Sequence, residues 1–94
     1  MAEIYKALAD PTRRKILQLL RDKEMTAGEI ADQFDLAKPT LSGHFAVLRE
    51  AGLVQPEKVG TTITYRLNVS VLEEALLALM DGFKLGGDRS KAGD

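Results

Sequence analysis

The strongest constraint on this chain lies between Thr26 and Gly52, in the stretch TAGEIADQFDLAKPTLSGHFAVLREAG. Two short helical patterns are separated by a tight break, which leaves room for little except two helices packed across a turn. Thr26 and Glu29 have the spacing of a capping box, in which each satisfies an amide donor near the other's backbone. Ala27, Ile30, Ala31 and Phe34 recur at i, i+3, i+4 and i+7, one face of a helix. Asp35-Leu36-Ala37 breaks the pattern, with Leu36 expected as the apolar plug of the turn. Pro39 suits the first turn of a second helix, where its missing N–H costs nothing. Leu41, His44, Phe45 and Leu48 form the second apolar stripe, and Gly52 is a helix terminator. The layout is helix-turn-helix, whose second helix has the dimensions to enter a DNA major groove.

The flanks extend this reading. Ile4, Ala7 and Leu8 give a short helical stripe, and Asp10-Pro11 caps and opens a second helix carrying Ile16, Leu17, Leu19 and Leu20. Arg13, Arg14 and Lys15 near its start read as a solvated face, or as a phosphate contact or intersubunit pair. After Gly52 the period changes to alternation. Leu53-Val54 begins a strand, Pro56 fits an edge strand, Gly60 marks a turn, and Ile63, Tyr65 and Leu67 point inward from a second strand. A hairpin in this place is a wing. Its tip, Lys58 to Thr61, suits a sugar-phosphate edge or is a bare surface hairpin.

A last helix is expected from about Ser70 to Lys84. Val71, Leu72, Ala75, Leu76, Leu77, Ala78, Leu79, Met80 and Phe83 surround most of its circumference, whereas a surface helix needs a single stripe. One side must therefore meet something outside the domain, and a second copy is the natural cover. Ile4, Leu8, Leu72, Leu76, Leu79 and Phe83 are the expected dimer residues, with Leu76 and Leu79 at the seam. The fold class is mainly α with a small β-hairpin, a winged helix-turn-helix paired through its first and last helices. Residues 1–85 make one domain, and the Gly-rich, charged stretch 86–94 is expected to be disordered.

Composition narrows the function. The 94 residues contain no cysteine, which excludes disulfides and thiolate metal or redox sites. Met1-Ala2-Glu3 lacks the layout of a signal peptide and no apolar run approaches the roughly 18 residues of a membrane span, so a cytoplasmic location is expected. The net charge of −1 does not announce nucleic acid, but its distribution permits it. Between Lys38 and Arg66 stand Lys38, Arg49, Lys58 and Arg66 against Glu50 and Glu57, and all the other acids lie outside that half.

Several blocks resemble the ArsR/SmtB family of bacterial winged-helix repressors. They are Asp10-Pro11-Thr12-Arg13-Arg14-Lys15-Ile16-Leu17, then Lys38 to Phe45 with Val47 to Val54, and then Lys58, Gly60 and Tyr65-Arg66-Leu67. The resemblance spans about residues 3 to 84. Met25 to Ala31 and Leu67 to Leu72 resemble in particular its Sdp-type autorepressor subfamily. The resemblance implies a homodimeric repressor that binds an inverted-repeat operator in double-stranded DNA. The Sdp likeness further implies autoregulation, with relief by a protein antagonist. Metal-sensing relatives carry cysteines where this chain reads Glu29 to Phe34, or paired His and carboxylates on a last helix that here has no His. Glu73 and Glu74 diverge around the helix and make a poor ligand pair. No metal, cofactor or small-molecule ligand is expected.

On the second helix of the pair, Pro39, Thr40, Ser42, Gly43 and Ala46 turn outward. With Lys38 at its start and Lys58, Gly60 and Thr62 on the wing, they are the expected DNA contacts. Relatives often carry His where Gly43 stands and Lys where Ala46 stands, which argues for modest affinity or for readout by shape. Gly43 either admits close backbone approach or is tolerated drift. His44, the lone histidine, reads as a satisfied structural residue, or through the resemblance as a DNA-side residue that positions the helix or touches phosphate. Ser42 and His44 lie about 200° apart on the helix and cannot form a nucleophile–base dyad, so an enzyme is not expected. A winged-helix protein–protein module without DNA is the alternative.

Overall fold

Capping chemistry sets where two of the helices begin. Asp10 takes extended backbone and its Oδ2 accepts from the Arg13 amide at 3.1 Å, which starts helix α2 with Pro11 in its first turn. Thr26 and Glu29 complete the capping box at 3.1 and 2.8 Å, so the short α3 starts where the sequence pattern placed it. The computed structural model describes residues 2–84, and the tail expected over 86–94 lies outside the described residues. In chain order the elements are α1 (Ala2–Leu8), α2 (Pro11–Asp22), β1 (Met25–Thr26), α3 (Ala27–Ala31), α4 (Lys38–Glu50), β2 (Val54–Val59), β3 (Thr62–Leu67) and α5 (Val69–Gly82).

The end of α4 fixes the whole second half. Gly52 has φ +75°, its amide donates to Arg49 O at 2.9 Å, and the Leu53 amide donates to Leu48 O at 3.1 Å. That pair of bonds is a Schellman motif, which reverses the chain and drives Leu53 into the core with no exposure. The Leu53 carbonyl then accepts from the Asn68 amide at 2.9 Å, tying the start of the hairpin to its return. β2 and β3 pair from Val54↔Leu67 to Val59↔Thr62, leaving Gly60-Thr61 as a two-residue turn. Gly60 has φ +63° and comes first in the turn, as a type II′ hairpin requires. Pro56 lies on the outer strand β2, where its missing donor breaks no ladder.

Ile16, Ile30, Leu48 and Leu53, from α2, α3, α4 and the turn after it, are the largest fully buried side chains. Phe45 of α4 stacks on Tyr65 of β3 with ring centroids 4.6 Å apart, joining the two-helix unit to the wing. Tyr65 is buried, with Ile63 and Leu67 half-buried on the same face.

Three features differ from the sequence expectation. α3 stops at Ala31, and two short-range turns through Gln33 and Phe34 follow it. Phe34 thus lies beyond the helix, packed against the core, while Leu36 stays 41% exposed and plugs nothing. Met25-Thr26 adds a third strand, in the order β1-β3-β2, because a two-residue strand is too short to show alternation. The third difference concerns the basic cluster. Arg13 Nε and Nη2 donate to Ala7 O and Lys6 O at 3.0 and 2.7 Å, and Arg14 Nη1 donates to Leu8 O at 2.8 Å. These guanidinia close the C-terminal end of α1 and are not a free solvated face. The signal was the ending Leu8-Ala9, which offers the last carbonyls of α1 neither a glycine cap nor a donor.

Gly43 within α4 and Gly52 just beyond its end should respond oppositely to alanine. Gly52→Ala forces a side chain into left-handed backbone and should cost about 1–2 kcal/mol. Gly43→Ala adds a Cβ that meets nothing within 4 Å and should gain up to about 1 kcal/mol of helix propensity. Denaturant melts of both variants beside the parent check both signs.

Candidate nucleic-acid interface

Helix α4 divides sharply. Leu41, Phe45 and Leu48 are buried, and Lys38, Pro39, Thr40, Ser42 and Gly43 are exposed. Ala46 is half-buried at the margin of that open face. The open residues therefore cluster in the first half of the helix, the half that reaches base edges in helix-turn-helix docking.

The start of α4 is chemically unlike those of α2 and α3. Its N-cap is Ala37, which supplies no side-chain hydrogen bond, and its first turn carries no acid. First-turn amides of a helix have no intrahelical partner and carry partial positive charge, so an uncapped start beside Lys38 attracts anions. The alanine reads from the sequence as a missing cap only once the structure fixes the boundary of the helix.

The wing stands clear of the core. Along β2 only Val54 is buried, and Lys58, Gly60 and Thr62 are all exposed around the tip. Lys58 and Lys38 thus offer two exposed cations, one on each element that the sequence pointed to.

His44 is set back from the open face of α4. Its side chain is only 16% exposed and its Nδ1 lies 3.2 Å from Arg13 Nη1 and 3.9 Å from Asp10 Oδ2. A guanidinium can only donate, so Nδ1 is the acceptor in the Arg13 contact. The ring faces the α1–α2 junction because α4 packs its N-terminal half against those helices. The Arg13 amide donating to Asp10 is the main cause that holds the Asp10 carboxyl below its ordinary value. The Thr26 amide does the same for Glu29.

The candidate dimer residues fall into two groups. On α5 only Ala75 is buried, while Leu76, Leu77, Met80 and Phe83 are 46%, 63%, 39% and 71% exposed. Leu72 and Leu79 are half-buried. Leu79 follows Ala75 by one turn and lies on the same side of the helix, less open than Leu76. Leu77 and Met80 are open as well, because a helix that is apolar all round does not reveal in its sequence which side its own domain covers. Ile4 and Leu8 of α1 are half-buried against the core.

A helix-turn-helix whose second helix presents its first half, followed by a projecting hairpin and a closing helix, is the winged helix-turn-helix architecture of DNA-binding regulators. The profile of the family described as "Bacterial regulatory protein, arsR family" matches residues 10–55. The transcriptional repressor SdpR of Bacillus subtilis is 43% identical over 76 residues, covering 81% of this chain and 84% of that protein. The chain belongs to the arsR family of bacterial regulatory proteins. A solved structure titled as a possible transcriptional regulator for arsenical resistance superposes with a TM-score of 0.76 at 40% identity, covering 95% of this chain and 93% of that one. HlyU of Vibrio cholerae, named a transcriptional activator, is 36% identical over 82% of this chain and 70% of its own length. Its solved structure superposes with a TM-score of 0.71, at 32% identity over 85% of this chain and 87% of that one. Among the described residues no helix is long and apolar enough to cross a membrane.

The two carboxylates with lowered pKa give stability a pH dependence of definite sign. In the folded chain Asp10 and Glu29 bind protons less readily than when unfolded. Their contribution is therefore present above the unfolded value and lost as pH falls through the folded one. The melting temperature should fall between about pH 5 and pH 3. Asp10→Asn keeps a capping oxygen but cannot titrate, so its melting temperature should fall less over that range.

Proposed function

We propose that this chain is a transcriptional repressor that binds an inverted-repeat operator as a homodimer. The observation that carries this reading is the first half of α4. Lys38, Thr40, Ser42 and Gly43 lie open beside an uncapped helix start, while the opposite side of the same helix is locked into the core. Such a surface offers amides and a cation to phosphate, and two hydroxyls to phosphate or base edges. Pro39 and Ala46 flank it as close-packing surface, and Lys58, Gly60 and Thr62 bring the wing to an adjacent backbone. His44 contributes from behind the helix.

The printed name of SdpR supports repression, while that of HlyU shows that relatives are also named as activators. The sign of regulation thus rests on the more similar of the two. Residues 1–85 form the DNA-binding and dimerisation domain in this reading, a cytoplasmic regulator with no catalytic role. Neither a cysteine-based metal sensor nor a small-molecule ligand belongs to it. A protein antagonist that relieves repression is carried over from the Sdp likeness.

Dimerisation is proposed from the uncovered side of α5. Leu76, Met80 and Phe83 leave a continuous apolar stripe on a 14-residue helix, and Tyr5 of α1 is 39% exposed. A groove of about 300 Å³ opens between α2 and α5, with Leu8, Leu17, Leu72 and Leu76 in its walls. Exposed apolar surface of this extent calls for a partner, and a second copy meets it with the same stripe.

Leu76→Glu should convert a dimer to monomer mass in sedimentation at micromolar concentration without loss of helix content. A parent chain that sediments as a monomer would contradict the dimer. For DNA, a symmetric pair places two α4 helices in successive major grooves about 34 Å apart. Lys38→Ala and Lys58→Ala should each flatten the salt dependence of binding by about one unit, uniformly across operator variants. Thr40→Ala or Ser42→Ala should shift the preference among variants by around 1 kcal/mol where those hydroxyls read a base. If all four variants bind a promoter duplex as the parent does, with the same slope, the DNA face lies elsewhere and the protein–protein reading gains.

A further inference from the structure

Apolar packing holds α4 against the core but is non-directional. Leu41, Phe45 and Leu48 would tolerate a small rotation or slide of the helix. A reading helix needs something sharper, because base edges and phosphates are met at fixed distances. Among the described residues, His44 is the one α4 side chain hydrogen-bonded to another element, through Nδ1 to Arg13 Nη1 at 3.2 Å.

Arg13 is itself immobilised. Its Nε and Nη2 are committed to Ala7 O and Lys6 O at the end of α1, and its backbone amide to Asp10 Oδ2. The planar guanidinium thus bridges the first helix and the reading helix, and a forked donor set of this kind has one orientation. His44 directly follows Ser42 and Gly43, so any shift of its ring moves the open face of α4 with it.

We propose that Arg13 and His44 are a positioning pair for DNA binding, fixing the rotation and depth of α4 against α1. This inference rests on the DNA-binding reading given above. Because the proposed dimer contacts run through α1 and α5, a bond from α1's end to α4 also sets how far apart two reading helices stand. Neither residue needs to touch DNA.

The test uses the full chain and a duplex that the parent selects from a random library. Arg13→Lys keeps the charge but lacks the fork, and His44→Leu removes the acceptor. Each should weaken binding about tenfold with the salt slope unchanged, and the double variant should be no weaker than either alone. His44→Asn places an amide oxygen near the position of Nδ1 and should restore binding to within about threefold of the parent. A slope reduced by one unit in Arg13→Gln would mean a direct phosphate contact and would overturn the proposal. Parent-like binding by Arg13→Lys, or no rescue by Asn, overturns it equally. Nitrogen NMR of the parent's imidazole needs neither a variant nor DNA, and should show a bare Nδ1 and a protonated Nε2. The opposite tautomer breaks the pair whatever the DNA result. If the parent selects no duplex, the DNA-binding reading fails, whereas the tautomer measurement separately decides whether the pair exists.

Discussion

The structure depends on one helix being asked to do two things. α4 must bury Leu41, Phe45 and Leu48 to close the core, and must leave Lys38, Thr40, Ser42 and Gly43 open. Its burial cannot be traded away, because Phe45 stacked on Tyr65 helps join the helical half to the wing. In a chain this short the hydrophobic core is small, and each such contact is a large share of what holds the fold. The open face inherits its rigidity from the buried one.

Directionality comes from polar groups at the helix ends. The Schellman turn at Gly52 aims the wing, and the Asp10 cap with the Arg13 and Arg14 guanidinia ties α1 to α2. Each of these satisfies backbone groups that a short helix would otherwise leave unpaired. The starts of α4 and α5 have no side-chain cap, and that of α4 lies beside the open face. An uncapped start is a loss for a free helix and an asset for one that receives phosphate.

α5 stands apart from this economy. Ala75 is its one buried residue, and the stripe from Leu76 to Phe83 has no cover within the described residues. A helix this apolar is stable in water only when something packs on it. The closing helix therefore leaves one chain with an apolar side that the proposed dimer would cover.

The sequence by itself determined the helix starts, the turn glycines and the two-helix unit, because caps, left-handed positions and 3.6-residue stripes are local properties written in neighbouring residues. It also marked the open half of α4, since the same stripe that names the buried face names its opposite. Only the tertiary structure decided where His44 and Arg13 point, that Phe34 and not Leu36 fills the turn, that Met25-Thr26 joins the sheet, and which side of α5 faces inward. Those outcomes depend on partners up to about forty residues away along the chain, such as Met25 with Tyr65. A guanidinium has no intrinsic preference between water, phosphate and a helix carbonyl until the fold has placed one of them within reach.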